Sequence, residues 1–366
     1  MDPITHSLTG ACLSRAGLNR KAAYATLTMV VAAEFPDIDT LWAWTGPVNG
    51  FQHHRGITHT FVGLPFEAGL IVGAVWLLHR WRVSRARGDA AVTQAPVRWG
   101  WLYGFAMVAL LSHLLLDYTN NYGIRPFFPF SGRWYAGSFV FIVDPVMILL
   151  LVGGLVMPVL FGLVGSEVGV RREVFRGRGW AVAALLGVVS WWGLRGVSHA
   201  RAAEIARSQS MAVVTGDAAP QYAQPLAVEA NPDPLNPFAW HTVSDFGGFY
   251  QMADGNVLTG VLTPEQDIHL KPVRTPAVLA AMESQVGRAY MGWSPMPFVT
   301  ESAANDPARG LGVAKAEDAV VTFRDPRFML DIPFWRSRPA PPLTATAEVD
   351  AQGRVVRQTM DGAAQR

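Results

Sequence analysis

The chain has 366 residues, of which half are hydrophobic and only 16% carry a charge. Its formal net charge of +2 is too small to indicate a nucleic-acid partner. A single cysteine, Cys12, excludes an internal disulfide framework, and the opening MDPITHSLTG lacks the basic and apolar regions of a cleavable signal peptide. This composition favours a protein that is partly embedded in a membrane.

Two short helices are predicted at the start of the chain, over residues 5–16 and 20–34. They are separated by AGLN, whose glycine and asparagine are typical of helix ends and turns. Neither helix is long enough to cross a bilayer, so we expect a helical hairpin that dips into the membrane. Pro36 ends the second helix, which brings the PDID segment (residues 36–39) to the level of His6.

Four apolar segments follow, and a helix needs about 20 residues to cross ~30 Å of hydrocarbon. They are Phe61–Leu78, Trp99–Tyr118, Pro145–Val164 and Trp180–Leu194. The fourth is short and must borrow flanking residues. Tryptophans lie near the ends of several segments, as interfacial anchors do. The sequence therefore predicts an all-α integral membrane domain, made of a helical hairpin and about four transmembrane helices.

The character of the sequence changes at about residue 200. Prolines cluster in AAPQYAQPLAVEANPDPLNPF, and short alternating runs of β-prone residues follow. Within these runs ADGN (residues 253–256) and DAQG (residues 350–353) are typical of hairpin turns. We therefore expect a membrane-embedded domain over residues 1–199 and a soluble, mainly β domain over residues 200–366.

Arginine placement predicts the orientation of this membrane domain. The loop over residues 80–98 carries five arginines and the loop over 166–178 carries four, whereas the loop over 119–138 carries two. Because positively charged loops stay in the cytoplasm, the first two loops should face inward. The 119–138 loop, the histidine-rich FQHHRGITHT stretch (residues 51–60) and the C-terminal domain should then face outward.

Histidines and aspartates gather at the ends that this topology places outside. They are His6, Asp37, Asp39, His53, His54, His59, His113, Asp117 and Asp144. His113 and Asp117 are four residues apart, so both side chains lie on one face of a helix and can reach one ion. Imidazole and carboxylate suit zinc and similar divalent ions, and such groups in an apolar span are costly without partners. The alternative is that the two residues only bond each other and the backbone.

The histidine-rich stretch offers ligands and an arginine. Gly56 lets the backbone turn, so that Arg55 and His59 can point into one cavity. The planar fork of Arg55 suits a phosphate, although the side chain could instead reach lipid headgroups.

At two places the sequence does not decide which of two neighbouring residues is the metal ligand. We favour His54 over His53 as a ligand, and Asp39 over Asp37. Asp37 is left either to accept a proton or to cap a helix.

Four motifs, MDPITHSLTGA, PDID, HHRGITHT and SHLLLDYTNNYG, occur in this order with apolar spans between them. Over roughly residues 1–200 the chain thereby resembles the bacterial membrane-bound metal-dependent hydrolases, whose representative is the YdjM-type inner-membrane protein. The order of ligand types also resembles that of zinc-dependent phospholipase C, an all-helical metallophosphoesterase. The resemblance implies that the metal ligands are His6, Asp39, His59, His113 and Asp117. The later histidines that complete the cluster of that enzyme have no match here, and Asp144 is a possible substitute.

Residues and resemblance together predict a metal-dependent hydrolase that spans the bacterial inner membrane several times, with its site on the periplasmic side. One or two divalent ions, zinc foremost, would be held by His6, Asp39, His54, His59, His113, Asp117 and Asp144. Asp37 would accept a proton and Arg55 would stabilise charge on the substrate, a lipid or other amphiphilic phosphoester or ester. The alternative is a non-enzymatic membrane protein with a structural metal. A transporter is less favoured, because the spans over 61–78 and 180–194 are almost free of polar residues at depth.

Overall fold

The computed structural model describes residues 1–86, 95–167, 177–213, 221–303, 318–330, 335 and 337–365. The chain divides into two compact units. The first consists of Met1–Ile38, Arg55–Val197 and Pro234–Pro237, and the second of Asp39–His54, Ser198–Asp233 and Phe238–Arg366.

The first unit is helical. Its helices are α1 (Pro3–Arg15), α2 (Ala25–Glu34), α4 (Gly63–Arg85), α5 (Trp99–Thr119), α6 (Pro145–Glu167) and the first part of α7 (Arg178–Ser208). Within the described ranges, α5, α6 and α7 are each long and apolar enough to cross a membrane. A fourth candidate is obtained only if α4 and the helical residues Pro47–His59, which are bent by 82° from each other, are counted as one span. The predicted helical membrane domain is confirmed, with three to four candidate spans.

The fourth span is longer than its apolar segment. The apolar run ends at Leu194 because Arg195 follows. The helix α7, which is 31 residues long in total, nevertheless continues to Ser208. The Arg195 side chain is buried, and its guanidinium donates hydrogen bonds to the carbonyl oxygens of Phe139 and Asn236 at 3.1 and 3.2 Å. Paired in this way, the charge does not end the helix.

The predicted hairpin is formed by α1 and α2. The two helices approach closely at Gly10, where an added Cβ would lie 2.6 Å from the carbonyl oxygen of Met29. The turn between them reaches the start of α5, since the backbone N–H of Ala23 donates to the carbonyl of Pro96 at 3.0 Å. The hairpin therefore runs along the first unit towards the end where α4 finishes and α5 begins.

A 3-10 segment, Phe35–Thr45, follows α2 and leads the chain into the second unit at Asp39. There α3 (Pro47–His53) packs on helix α9 (Gln285–Trp293), with the Phe51 ring 5.6 Å from that of Tyr290 and 5.3 Å from that of Trp293. Residues 39–54 thus belong to the C-terminal unit, although the sequence places them within the membrane domain. The composition of residues 39–54 does not predict this assignment, because it depends on contacts with residues more than 200 positions later.

The second unit is built on antiparallel sheets, which confirms the mainly β prediction. β3 (Ala227–Pro232), β4 (Ala239–Asp245), β5 (Phe249–Asn256) and β6 (Val261–Leu270) form one sheet in chain order. β7 (Phe298–Ala303), β8 (Ala319–Arg324), β9 (Ala345–Val349), β10 (Val355–Met360) and β11 (Ala363–Ala364) form another, and β1 (Met211–Val213) pairs with β2 (Gln221–Ala223). Helices α8 (Pro276–Glu283) and α9 (Gln285–Trp293) connect β6 to β7.

One of the two predicted hairpin turns is displaced. ADGN lies inside β5, where Asp254 pairs with His241 on one side and Thr263 on the other. The chain turns over residues 257–260 instead, with Gly260 at φ +69° and the Asn256 side chain accepting the N–H of Leu258. The DAQG turn is confirmed between β9 and β10, with Gly353 at φ +77°.

Replacement of Phe51 by alanine should destabilise the second unit, because its ring is buried between two aromatic side chains of that unit. Truncation of a buried phenylalanine costs about 3–5 kcal/mol. Thermal unfolding of the purified protein, followed by near-UV circular dichroism, should show a lower midpoint for Phe51→Ala. Leu258→Ala is the control, because Leu258 is 70% exposed in the β5–β6 turn. Equal midpoints for the two variants would contradict the assignment of residues 39–54 to this unit.

Candidate metal centre

Four side chains of the first unit converge where α2 and α5 end and α4 begins. His113 and Asp117 lie on the last two turns of α5. His59 ends a 3-10 turn, Ile57–His59, just before α4, and Asp37 follows α2. Because α4 begins and α5 ends at the same end of the unit, these residues meet although 80 positions separate the first from the last.

The ligand atoms of Asp37, His59, His113 and Asp117 all lie within 4.8 Å of one another. The His59 Nε2 atom is 3.1 Å from His113 Nε2, 3.3 Å from Asp37 Oδ1 and 3.3 Å from Asp117 Oδ2. The His113 Nε2 atom is 3.7 Å from Asp37 Oδ1 and 3.4 Å from Asp117 Oδ2. Ligands about 2.0–2.1 Å from one tetrahedral zinc ion are about 3.3–3.4 Å apart, and the five separations above, from 3.1 to 3.7 Å, are close to that spacing.

Hydrogen bonds at the far side of each imidazole fix its orientation. The His113 Nδ1 atom lies 2.7 Å from the carbonyl oxygen of Ala33, and His59 Nδ1 lies 3.1 Å from the Thr58 hydroxyl. A carbonyl only accepts, so His113 must donate from Nδ1, and in the neutral ring its Nε2 carries a lone pair. Metal-binding histidines are commonly held by such a bond to their other nitrogen. The arrangement leaves both Nε2 atoms directed at one point.

Asp117 shares its two oxygens between two sets of partners. Oδ2 faces the imidazoles of His59 and His113. Oδ1 accepts a hydrogen bond from Arg55 Nη2 at 2.8 Å and lies 3.4 Å from His6 Nε2, and the amino group of Met1 also donates to it. The side chain is almost fully buried, so these contacts replace the water that an ionised carboxylate requires.

Arg55 is held by protein acceptors on several sides. Its Nη1 atom donates to the carbonyl oxygens of Gly123 at 2.6 Å and Asp117 at 3.3 Å, and to Asn120 Oδ1 at 3.4 Å. The guanidinium also lies 4.8 Å from the centre of the Tyr122 ring. Its backbone is in the left-handed region, with φ +52°, a conformation that costs energy for a non-glycine residue. The structure therefore gives Arg55 contacts that position Asp117 and the turn after α5.

Asn120 belongs to the same network and was not singled out from the sequence. Its Oδ1 atom accepts the backbone N–H of Tyr122 at 2.9 Å as well as the hydrogen bond from Arg55. Asparagine commonly closes a turn in this way, and the TNNYG segment directly after Asp117 carried that signal.

His6 lies directly beside the four ligand atoms. Its ring stacks on that of His113, with 3.8 Å between the centroids, and is fully buried. Its Nε2 atom lies 3.4 Å from Asp117 Oδ1, and its Nδ1 atom has no hydrogen-bond partner among the residues that the structure describes. A buried imidazole in this state is costly, so the position fits a group that interacts with a ligand or ion.

Asp37 is the most exposed of the four residues, at 20%, whereas the other three are at most 1% exposed. Burial alone would raise the pKa of its carboxyl group, but the neighbouring imidazoles of His59 and His113 outweigh it and lower the pKa to about 2. The carboxylate is therefore ionised at neutral pH, as a metal ligand or a proton acceptor must be.

The structure brings Asp37 into the group, whereas the sequence favoured Asp39. Asp39 instead pairs with His54 at 3.1 Å within the second unit, and the His53 ring stacks on Trp42 at 4.4 Å.

Asp144 is also outside the group of four. Its Oδ1 atom caps α6 by accepting the N–H groups of Val146 and Met147, and its Oδ2 atom accepts the indole N–H of Trp191 at 2.9 Å. Oδ1 thus begins a helix, a role that any aspartate ahead of an apolar span can take, and Oδ2 is occupied by Trp191.

An apolar helical unit with buried histidines and aspartates converging at one end defines a membrane protein with a possible metal site. The chain belongs to the YdjM inner membrane protein family, whose model matches residues 1–202. It is also 26% identical over 153 residues to the uncharacterized protein YfhP of Bacillus subtilis (strain 168). That alignment covers 40% of this chain and 42% of YfhP, so the chain spans less than half the length of this relative. No solved structure matches the chain.

The family match covers the first unit and ends within α7, so the sheets of the second unit lie outside it. Neither the family description nor the name of YfhP states an activity. The resemblance to zinc-dependent phospholipase C stays a prediction.

Replacement of His113 by alanine should abolish metal binding, because it removes one of the four ligand atoms and the contact to Ala33 together. Elemental analysis of detergent-purified protein, after zinc loading and desalting, should find zinc in the unaltered chain and only background in His113→Ala. His79→Ala is the matched control, since His79 bonds the Tyr24 hydroxyl at 3.2 Å and lies outside the group. Equal zinc in all three proteins would refute the site.

Proposed function

We propose that the protein is a metal-dependent hydrolase of the bacterial inner membrane that acts on a phosphoester or other ester of an amphiphilic substrate. The observation that carries this proposal is the group of four ligand atoms, of which three belong to buried residues and one to the partly exposed Asp37. Catalytic zinc sites commonly use three protein ligands and keep the fourth position accessible. His59, His113 and Asp117 supply the three, and Asp37 marks the accessible side.

Zinc is the ion that suits these residues best. Two imidazoles with two carboxylates match its preferences, and the separations of the ligand atoms match its tetrahedral geometry. A single ion is favoured over two, because Arg55 already supplies a positive charge to the second oxygen of Asp117. His6 lies on that side and would take part if a second ion were bound.

A bound divalent cation supplies Lewis acidity, which lowers the pKa of a water molecule and polarises the ester. The chain itself provides the remaining functions. Asp37, ionised and partly exposed, accepts a proton at the mouth of the site. Arg55 keeps Asp117 in place through its fork of hydrogen bonds.

Exposed apolar side chains beside His59 in the chain support an amphiphilic substrate. Ile57, Phe61 and Phe127 are each about half exposed, and the rings of Phe61 and Phe127 lie 5.6 Å apart. Arg125 is partly buried, with its Nε atom 3.4 Å from the carbonyl oxygen of Arg55 and its guanidinium 4.6 Å from the centre of the Trp134 ring. Because Arg125 is less buried than Arg55, it is the better partner for a substrate phosphate, and the apolar side chains suit an acyl chain.

A structural metal site in a non-enzymatic membrane protein is the second candidate. It is favoured by the same group of four ligand atoms, because four protein ligands close a site around a structural ion. The two functions differ in what Asp37 does: it completes the closed site in one, and leaves room for water in the other.

Asp37→Ala therefore separates the two proposals. For a hydrolase, three ligands still hold zinc, while turnover of a fluorogenic acyl phosphoester falls by about 10²–10⁴-fold because the proton acceptor is lost. Zinc content and turnover are measured on the same preparation, with Asp39→Ala as the control. Loss of zinc from Asp37→Ala, with no phosphoesterase activity in the unaltered protein, would support the structural site instead.

We also propose that the protein crosses the membrane several times with its metal site on the periplasmic side. Cationic residues gather at the other end of the first unit: Arg15, Arg20, Lys21, Arg80, Arg82, Arg85, Arg98 and Arg178. Arg178 opens α7 and donates to the carbonyl of Ala16 at 3.1 Å, and Lys21 lies 4.7 Å from the centre of the Trp101 ring near the start of α5. Positive residues favour the cytoplasm, which supports this orientation. The remaining arginines of the two loops, within 87–94 and 168–176, lie outside the described residues.

A reporter fused to the C-terminus should be active only outside the cytoplasm, because α7 begins at the cationic end and leads away from it. Alkaline phosphatase, which needs an oxidising compartment, should be active in that fusion, and green fluorescent protein at the same position should stay dark. The reverse pattern would place the metal site in the cytoplasm.

A further inference from the structure

The second half of the 3-10 segment, which belongs to the second unit, carries an exposed aromatic surface. Trp44 is 81% exposed and Trp42 is 48% exposed, and Leu41 beside them is exposed as well. No aspartate, glutamate, lysine or arginine occurs from Thr40 to Gln52. Contiguous apolar surface of this kind, free of charge, is typical of an interaction site.

Hydrogen bonds and a ring contact hold the residues of this surface in place. The Trp42 ring stacks on that of His53, with 4.4 Å between the centroids. The Thr45 hydroxyl donates to the carbonyl of Trp42 at 2.8 Å, and the amide of Gln365 donates to the carbonyl of Thr45 at 3.2 Å. Gln365 also accepts the backbone N–H of Val48 at 2.9 Å. These contacts hold the backbone that carries the exposed side chains of Trp42 and Trp44.

Chain continuity limits how far this surface can be from the membrane unit. Trp44 lies six residues after Ile38, the last residue of the first unit before the chain leaves it. A fully extended chain spans at most ~3.3–3.6 Å per residue, so Trp44 is no more than about 20–22 Å from Ile38. The chain returns to the first unit at Arg55, next to the metal centre.

We propose that Leu41, Trp42 and Trp44 insert into the boundary between headgroups and acyl chains of the adjacent bilayer leaflet. Tryptophan is enriched at this depth, because its ring is apolar and its indole N–H can donate to lipid carbonyl or phosphate oxygens. The absence of charge between Thr40 and Gln52 removes the main cost of insertion. The segment anchors the second unit to the membrane at the point where the chain joins the metal centre.

The test uses the full chain in vesicles of phosphatidylcholine and phosphatidylglycerol. Cys12, which is buried, is replaced by alanine, and a single cysteine is introduced as Trp44→Cys or, for the control, Leu258→Cys. Both positions are exposed in the second unit, so neither change disturbs its core. Each cysteine is labelled with an environment-sensitive nitrobenzoxadiazole dye. The vesicles are prepared with or without phosphatidylcholine that is brominated just below the headgroup.

The dye at position 44 should emit at shorter wavelength than the dye at 258 and lose most of its emission in brominated vesicles, whereas the dye at 258 should lose none. Mixed orientation in the vesicles does not affect this result, because the segment meets the leaflet beside it either way. Emission at 44 that is unchanged by bromine would overturn the proposal. A short-wavelength emission without quenching would instead indicate that a protein, such as a second copy of the chain, covers the surface.

Discussion

The position of Asp117 is the constraint on which the first unit depends. An ionised carboxylate at the end of an apolar helix is costly unless its oxygens find charged or hydrogen-bonding partners. One oxygen faces the imidazoles of His59 and His113, and the other accepts from Arg55. These partners come from two separate parts of the chain, so satisfying one carboxylate fixes how the turn before α4 meets the end of α5. The strained backbone of Arg55 is then explained by the bonds that its side chain makes.

The segment between Ile38 and Arg55 belongs to the second unit, although the residues on both sides of it lie at the metal centre. Ile38 and Arg55 themselves belong to the helical unit, whereas Phe51 between them packs against Tyr290 and Trp293 of α9. Asp37 precedes this segment, and Arg55 and His59 follow it. The family match over residues 1–202 includes the segment but not the sheets.

Local spacing predicted much of the site, and tertiary contacts decided the rest. His113 and Asp117 were predictable because a four-residue separation on a helix leaves few other geometries, and the HRGITH motif directed His59 to the same place. The sequence could not decide between Asp37 and Asp39 as the ligand, because that choice depends on how the chain turns after Pro36. Asp144 had the right residue type at the right end of a span, but helix capping and Trp191 use its oxygens. The ADGN segment is a strong local turn signal that the pairing of β4 with β5 and β6 overrides.

The central claim is that one divalent cation is bound at the end of the helical unit by His59, His113 and Asp117, with Asp37 beside the remaining coordination position. X-ray absorption spectroscopy of the zinc-loaded protein tests it most directly, because the first coordination shell and the outer atoms of imidazole rings are both resolved. The account predicts four light ligands at about 2.0–2.1 Å with the scattering of two histidines in the unaltered protein, and no more than background zinc in His59→Ala. A shell of six oxygens without imidazole scattering, or a spectrum unchanged in His59→Ala, would contradict it.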